Sequence, residues 1–427
     1  MTARFERVAD VGSPIPGVTP PEVAEAAKAV GLARLPGVDV LRGGAIVLVV
    51  LHHTGLRIPL AASPIARWLP DEIVDALMAR GFEAVYLFFA VSGFLITSHA
   101  LARWGDLRWL DVRAFYLRRA ARILPCLALL VAVLALLAAA RVPHYEIDGP
   151  DQSIAGAFTA ALGFRINWYE SVTDYLPASW DVLWSLSVEE AFYVGFPLMC
   201  LTLGRTRALV PALIAFAFAL PWWRHGLHGL WLEKADAPGM AAIACGMLAA
   251  LALRRWPRMP RSTVHWLTAF GVLGLLAAGP FESQLWHSVH DGFLLVVAAA
   301  AASLCAASAW RPEHGNSPGA AATPGAARRL VNALETAGAP LRSFGRLSYE
   351  IYLTHIFVMW LVVDAFATHG APPWAVLPAH ILVLALAWGM GWVVAKTWSG
   401  PVRRWIRTVT TRHAGQRHVL SAKGKSS

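Results

Sequence analysis

The feature that most constrains this fold is a series of apolar stretches, each close to the length of a membrane-spanning helix. A helix needs about 20 mainly apolar residues to cross a bilayer, and ten segments of the chain approach that length: 40–57, 82–101, 122–140, 186–203, 207–223, 237–253, 264–280, 291–309, 347–367 and 376–396. Only 15% of the residues are charged, well below the proportion of about 25% in soluble domains, which excludes a cytosolic enzyme. We therefore predict an all-α, polytopic membrane protein with about ten transmembrane helices.

The basic residues predict how these helices are oriented. If the N-terminus is cytoplasmic and ten spans alternate, 30 of the Lys and Arg residues lie on the cytoplasmic side and 7 lie outside. Cytoplasmic loops of membrane proteins carry such an excess of positive charge. We expect both termini in the cytoplasm and the protein in the inner (plasma) membrane. The shorter apolar segment 153–165 is expected to be re-entrant or interfacial.

Composition divides the chain into three parts. Residues 1–35 are a predicted cytoplasmic extension, 36–405 are the membrane domain with a flexible loop at about 311–340, and 406–427 are a basic cytoplasmic tail. The net charge of +10 is spread over short runs between apolar stretches, which does not indicate a nucleic-acid partner. The four Cys residues stand singly in apolar stretches without metal-ligand spacing, so no metal site is predicted.

Ionisable residues inside a span are costly and mark candidate functional sites. Arg42 and His53 of the first span share one helix face, since eleven residues at about 100° each complete nearly three turns, about 16 Å along the axis. His52 points roughly 80° away from Arg42, so the helical period selects His53 as the partner of Arg42. Asp39, one turn before Arg42, is expected to hold the guanidinium.

The second and third predicted spans carry further candidate residues, a serine in the second and three arginines at the start of the third. Ser92 lies in a Ser–Gly step flanked by aromatic residues, which is typical of close helix packing and leaves a substrate contact as the alternative. Arg118, Arg119 and Arg122 lie at the start of the third span. Arg119 and Arg122 are one turn apart, and forked guanidinium groups suit bidentate phosphate binding. The alternative is that these arginines are only a topology signal.

Two later spans supply carboxylates and a further histidine. Glu189 and Glu190 occupy the predicted outer end of the fourth span. One of them is expected to orient a histidine and raise its basicity; the alternative is that Glu190 caps the helix. His355 lies in the ninth span, where it either pairs with a carboxylate or serves the site directly.

Five blocks, in order along the chain, resemble motifs of the acyltransferase-3 family of integral membrane acyltransferases. They read DVLRG from residue 39, FFAVSGFL from residue 88, RRAARILP from residue 118, WSLSVEEAFY from residue 184 and GRLSYEIYLTH from residue 345. The resemblance covers about residues 36–405. It implies about ten spans, a correspondence of Arg42 and His53 to the family's Arg and His separated by ten residues, and a correspondence of Arg119 and Arg122 to its basic motif. His52 stands where the family usually has an aromatic residue.

Members of this family move an acyl group, usually acetyl from acetyl-CoA, to hydroxyls of cell-surface or exported carbohydrates. The resemblance implies that acyl-CoA is the donor substrate, that no cofactor is tightly bound, and that the acceptor is a carbohydrate or glycolipid reached in the lipid bilayer. Some members acylate antibiotics or other small molecules, which is one alternative. A second alternative is a proton-coupled transporter of saccharides or lipid-linked saccharides, with the intramembrane His, Glu and Arg as the proton pathway.

The expected roles combine this resemblance with the chemistry of the residues. His53, as a neutral base, is expected to take the proton of the acceptor hydroxyl; a covalent acyl-histidine is the alternative. Glu189 or Glu190 is expected to hold its imidazole. The donor phosphates are expected to bind Arg42, Arg118, Arg119 and Arg122. The supporting residues are Asp39, Ser92, Tyr349 and His355.

Overall fold

The chain folds into α-helices of very different lengths. The computed structural model describes residues 35–257, 259–278, 292–310, 338–406 and 408, and no β-strand occurs over these ranges. The prediction of an all-α protein is confirmed. The predicted extension at 1–35, the loop at 311–340 and the tail at 406–427 lie almost wholly outside the described residues.

The helix bounds follow the apolar stretches, and local residues set several starts. Pro36 is the first residue of the first helix, where its missing N–H has no helical partner to lose. Asp111 caps the helix that begins at Val112, because its side chain accepts a hydrogen bond from the Ala114 N–H at 2.9 Å. In chain order the described α-helices are α1 (Pro36–Gly55), α2 (Asp71–Met78), α3 (Gly81–Trp104), α4 (Val112–Ala139), α5 (Ile154–Leu162), α6 (Ile166–Thr173), α7 (Ala178–Asp181), α8 (Trp184–Thr202), α9 (Leu209–Phe218), α10 (Leu220–Arg224), α11 (Leu230–Lys234), α12 (Asp236–Arg255), α13 (Arg261–Ala278), α14 (Gly292–Ala309), α15 (Ala339–Arg346), α16 (Ser348–Thr368) and α17 (Val376–Val394).

Within the described ranges, seven helical segments are long and apolar enough to cross a membrane. They are Pro36–Gly55, Gly81–Trp104, Val112–Ala139, Leu230–Arg255, Gly292–Ala309, Ser348–Thr368 and Pro373–Ile406. Each coincides with a predicted span, so the chain is a multi-pass membrane protein. The other three predicted spans fall on α8, α13 and the pair α9–α10. Helix α9 has 10 residues, which is too short to span alone, and the total of ten spans stays a prediction.

Helices α3 and α12 cross at two glycines. A Cβ on Gly93 would lie 1.9 Å from the Ile243 carbonyl oxygen, and a Cβ on Gly246 would lie 1.8 Å from the Ala90 carbonyl oxygen. Any larger residue would force the two backbones apart, and small residues are what membrane helices use for such close approach. The close helix packing expected at the Ser–Gly step is found at Gly93, whereas Ser92 lines a cavity described below.

Helix α1 lies against α3, α15 and α16. The backbones of α1 and α15 nearly touch, since a Cβ on Gly43 would lie 1.9 Å from the Leu341 carbonyl oxygen. Because α16 begins two residues after α15 ends, this contact also fixes the start of α16 beside α1. The polar residues of α1 and α16 therefore face each other.

A buried lysine ties together the short helices of the predicted outer segment. Lys234, at the end of α11, is 2% exposed; its Nζ donates to Glu170 Oε2 of α6 at 2.9 Å and contacts Asp181 of α7. One cation thus faces two carboxylates. Burial, reinforced by the Asp181 carboxylate and opposed by Lys234, raises the pKa of Glu170 to about 9.

Candidate active site

A cavity of about 510 Å³ opens between α1, α3, α4, α8 and α16. Its volume is within the range of about 300–1,000 Å³ that is usual for small-molecule sites. Much of the wall is aromatic or aliphatic, with Phe88, Phe89 and Leu95 from α3 among the lining residues. The polar lining residues away from the basic rim are Arg42, Ser92, Arg119, Ser185, Glu189, Tyr193, Ser348, Tyr349 and Tyr352.

The rim of this cavity is basic. His99, Arg103 and Arg122 line it and are exposed, and the half-buried Arg118 lies with its guanidinium carbon 4.9 Å from the centre of the Trp104 ring. The sequence analysis missed His99 and Arg103. Their spacing could have identified them, because His99 and Arg103 follow Ser92 by seven and eleven positions and therefore lie on the same helix face as Ser92.

Arg119 is the centre of a buried polar network. Its Nη2 donates to Glu189 Oε1 at 2.8 Å and to Glu190 Oε1 at 2.5 Å, and its Nε donates to Glu190 Oε1 at 2.9 Å. The guanidinium carbon lies 3.5 Å from the centre of the Tyr193 ring. The Ser92 hydroxyl donates to Glu189 and lies 2.5 Å from the Tyr193 hydroxyl. Two carboxylates therefore neutralise Arg119 within the protein.

This network corrects two sequence-based expectations. Glu189 or Glu190 is expected to hold the His53 imidazole, but in the structure both carboxylates accept hydrogen bonds from Arg119. The physical reason is that carboxylates removed from water need a cation and hydrogen-bond donors, and Arg119 supplies both. Arg119 is thereby engaged internally, whereas Arg122 stands at the exposed rim.

Residues near the N-terminal ends of α1 and α16 are paired between helices. Arg42 donates from Nη2 to Ser348 Oγ at 2.7 Å, and Arg346 Nε lies 3.7 Å from Asp39 Oδ2. Asp39, expected to hold Arg42, has a partner on α15, and that expectation stays a prediction. The Tyr349 hydroxyl donates to a backbone carbonyl of α4 at 2.9 Å. These contacts fix the guanidinium of Arg42 at the cavity wall.

Two histidines meet further along these helices, His53 in the last turn of α1 and His355 two turns into α16. His355 Nε2 lies 3.4 Å from His53 Nδ1, and the ring centres are 5.0 Å apart. The His53 Nδ1 is also 2.8 Å from the Val49 carbonyl oxygen. His52 instead lies with Nδ1 2.8 Å from the Met78 carbonyl oxygen. His53 therefore faces α16, as the helical period predicts, and His52 faces the end of α2.

Tyr352 adjoins both the cavity and the histidine pair. It lines the cavity, and its ring centre is 6.0 Å from that of His355. Its hydroxyl donates to the Val182 carbonyl at 2.9 Å, so the Ser185 hydroxyl, 2.7 Å away, is its donor. The four predicted arginines thus line the cavity. His53 does not line it, and Tyr352 lies between the cavity and the histidine pair.

Comparisons with known proteins agree with the predicted class. The model of a family described as "Acyltransferase domain" matches residues 35–392. The O-acetyltransferase OatA of Staphylococcus aureus strain NCTC 8325 / PS 47 is 28% identical over 171 residues, which are 39% of this chain and 24% of OatA. OatA of strain COL matches to the same extent. The match spans about a quarter of the length of these relatives, and no solved structure matches.

Proposed function

The chain belongs to the acyltransferase-3 family, and from this premise we propose that it is an O-acyltransferase embedded in the inner (plasma) membrane. It moves an acyl group, acetyl in the first place, from acyl-CoA to a hydroxyl of a cell-surface or exported saccharide. The relatives named as O-acetyltransferases support the choice of acyl group and of a hydroxyl acceptor. The observation that carries the proposal is the cavity with a basic rim and an apolar interior.

The chemistry of the donor matches this cavity. Coenzyme A is a polyanion at its nucleotide end and carries its thioester at the end of a long uncharged arm. Phosphates suit the guanidinium groups at the rim, where forked donors bind them bidentately. Arg118, Arg122 and the newly found Arg103 are placed there. The arm suits the aromatic interior, which leads towards Tyr352.

His53 is the base of the proposed reaction. In its neutral form it takes the proton of the acceptor hydroxyl on Nε2 while that oxygen attacks the thioester carbonyl carbon. The carbon–sulfur bond breaks, and the leaving thiolate receives the proton from His53 as free coenzyme A. Acceptor ester and thiol are the products, and no other reactant is needed. Proton transfer of this kind accelerates reactions by about 10²–10⁴-fold.

An aromatic and acidic surface supports a saccharide acceptor. Trp168 and Tyr175 are 48% and 50% exposed, and the Trp168 and Trp231 rings pack edge to face with centres 4.8 Å apart. The Trp168 indole N–H donates to Asp236 at 2.8 Å, which holds the ring in place. Apolar ring faces next to carboxylates suit sugars, whose carbon faces stack and whose hydroxyls donate.

The test is a thiol-release and transfer assay with the purified full chain in nanodiscs. Acetyl-CoA carrying a labelled acetyl group is supplied with a panel of saccharides and glycolipids from exported glycans. We expect free thiol to form together with an equal amount of labelled acceptor, and His53→Ala to abolish both. A saccharide transporter would release no thiol with any acceptor, and that result would overturn the proposal.

A further inference from the structure

Two backbone carbonyls determine which nitrogen of His355 carries the hydrogen. Its Nδ1 lies 2.8 Å from the Tyr352 carbonyl oxygen and 3.2 Å from the Ile351 carbonyl oxygen. A carbonyl oxygen only accepts hydrogen bonds, so Nδ1 is the donor, and Nε2 of the neutral ring is then a bare acceptor. His355 therefore presents a lone pair to the neighbouring histidine.

The same argument applies to His53. Its Nδ1 is 2.8 Å from the Val49 carbonyl oxygen, so this nitrogen also carries a hydrogen. The Nε2 lone pair of His355, 3.4 Å away, is a second and longer acceptor for that hydrogen. The other nitrogen of His53, Nε2, is left as the basic one, and no residue that the structure describes forms a hydrogen bond with it.

We propose that His355 is a positioning residue that acts through His53, accepting its Nδ1–H and stabilising the imidazolium that forms when Nε2 takes a proton. This inference rests on the proposed function, in which His53 is the base. A hydrogen bond from a charged donor is roughly twice as strong as a neutral one, so the contact strengthens as the proton arrives. The stabilisation therefore acts on the rate of the chemical step.

A neutral acceptor suits this location. In serine hydrolase triads a carboxylate orients the histidine and stabilises its charged form. A further carboxylate beside His53 would have to be held inside a membrane span, which is costly, and Glu189 and Glu190 are already bonded to Arg119. His355 is completely buried and offers the lone pair without a charge.

The first test compares three variants by kinetics. His355→Phe keeps an aromatic ring but has no hydrogen-bond acceptor. We expect its kcat to fall at least about tenfold, which is part of the usual general-base effect. Its KM for acetyl-CoA should be unchanged. His355→Gln restores an acceptor oxygen at a similar reach and should recover most of kcat. His380→Phe is the matched control, because His380 is buried on α17 with the same carbonyl bond, 2.9 Å to Val376, and should leave kcat unchanged. His355→Leu replaces the Phe variant if the latter does not fold.

The second test needs no activity. ¹⁵N spectra of the histidine-labelled full chain report which ring nitrogens carry hydrogen, and the signals of His53 and His355 are assigned by their loss in His53→Gln and His355→Gln. We expect both residues to be protonated at Nδ1 and bare at Nε2. A hydrogen on His355 Nε2 would overturn the inference even if acyl transfer is observed.

The outcomes separate the two proposals. If the protein shows the expected tautomers but transfers no acyl group, the proposed function fails, and the positioning role fails with it. If transfer occurs but His355→Gln is as slow as His355→Phe at equal thermal stability, only the positioning role fails. An effect on KM without an effect on kcat would also overturn it.

Discussion

The Arg119 guanidinium lies 2.8 Å from the Glu189 carboxylate inside a network that is largely withdrawn from solvent. The Arg119 side chain is 13% exposed. Arg122, one helical turn further along α4, is exposed at the cavity rim. The two arginines of one sequence motif thus have different environments. The first neutralises internal carboxylates, and the second is free to meet an anion from solvent.

The first prediction is that Arg119→Gln destabilises the fold. Removing one partner of a buried ion pair leaves uncompensated charge and typically costs about 3–5 kcal/mol. Thermal unfolding in detergent should therefore begin at a clearly lower temperature. The double variant Arg119→Gln with Glu190→Gln should recover part of the loss, because one carboxylate then carries no charge. An unchanged unfolding temperature for Arg119→Gln would show that the network contributes little.

The second prediction is that Arg122→Gln weakens donor binding and leaves the fold intact. A lost hydrogen bond to a charged group is worth about 1.5–3 kcal/mol, so the affinity for acetyl-CoA should fall at least about tenfold. Titration calorimetry or fluorescence of the purified protein measures this directly. Arg207→Gln, an exposed arginine that is absent from the lining of this cavity, is the control and should bind normally. Unchanged affinity for Arg122→Gln would reduce this residue to a topology signal.

The sequence predicts membrane helices and helix faces better than it predicts side-chain partners. Apolar length identified the seven segments that are long and apolar enough to cross a membrane, and the 3.6-residue period placed His53 towards α16, because both are properties of one helix. The partner of Glu189 was missed because it depends on how α4 and α8 pack, which no single helix encodes. Tyr352 was missed for the same reason: its position beside both the cavity and His355 is set by the docking of α16 against α1.

The third prediction concerns the pH dependence of stability. Glu170 has a reference pKa of 4.5, and burial raises it to about 9 in the folded protein. Between these values the folded chain holds more protons at this site than the unfolded chain, so the free energy of unfolding falls as the pH rises. Glu170→Gln keeps an acceptor for the Leu176 N–H, which lies 3.0 Å away, and should flatten the decline in unfolding temperature from pH 5 to 9.

A control in the same segment isolates the effect of Glu170. Asp151→Asn alters an exposed carboxylate, and the slope of unfolding temperature against pH should match that of the unaltered protein. If Glu170→Gln also leaves the slope unchanged, the Lys234 contact offsets the effect of burial, and the carboxylate is ionised throughout this range.

The fourth prediction is the orientation of the chain. Ala155→Cys, at an exposed position of α5, should react with a membrane-impermeant maleimide in intact cells, and a reporter fused after Ser427 should be active only in the cytoplasm. The native cysteines give little background because all four are buried. Labelling that requires permeabilised cells would place α5 inside, and a reporter active outside would contradict the ten-span arrangement.

The last prediction separates the two neighbouring histidines. His53 meets His355 on α16, whereas His52 reaches the Met78 carbonyl at the end of α2 and packs against Gly81. His53→Ala should abolish acyl transfer by at least the factor of about 10²–10⁴ that general-base catalysis supplies, with normal expression and membrane insertion. His52→Phe loses one hydrogen bond but keeps an aromatic ring against Gly81, so it should retain substantial activity.

The same base makes acyl transfer depend on pH. Because the base must be neutral, the activity of the unaltered protein should fall in acidic buffer, where the imidazole is protonated. Initial rates of thiol release from acetyl-CoA measure the activity of His53→Ala, of His52→Phe and of the unaltered protein in acidic buffer. If His52→Phe stops turnover and His53→Ala does not, the base has been assigned to the wrong face of α1.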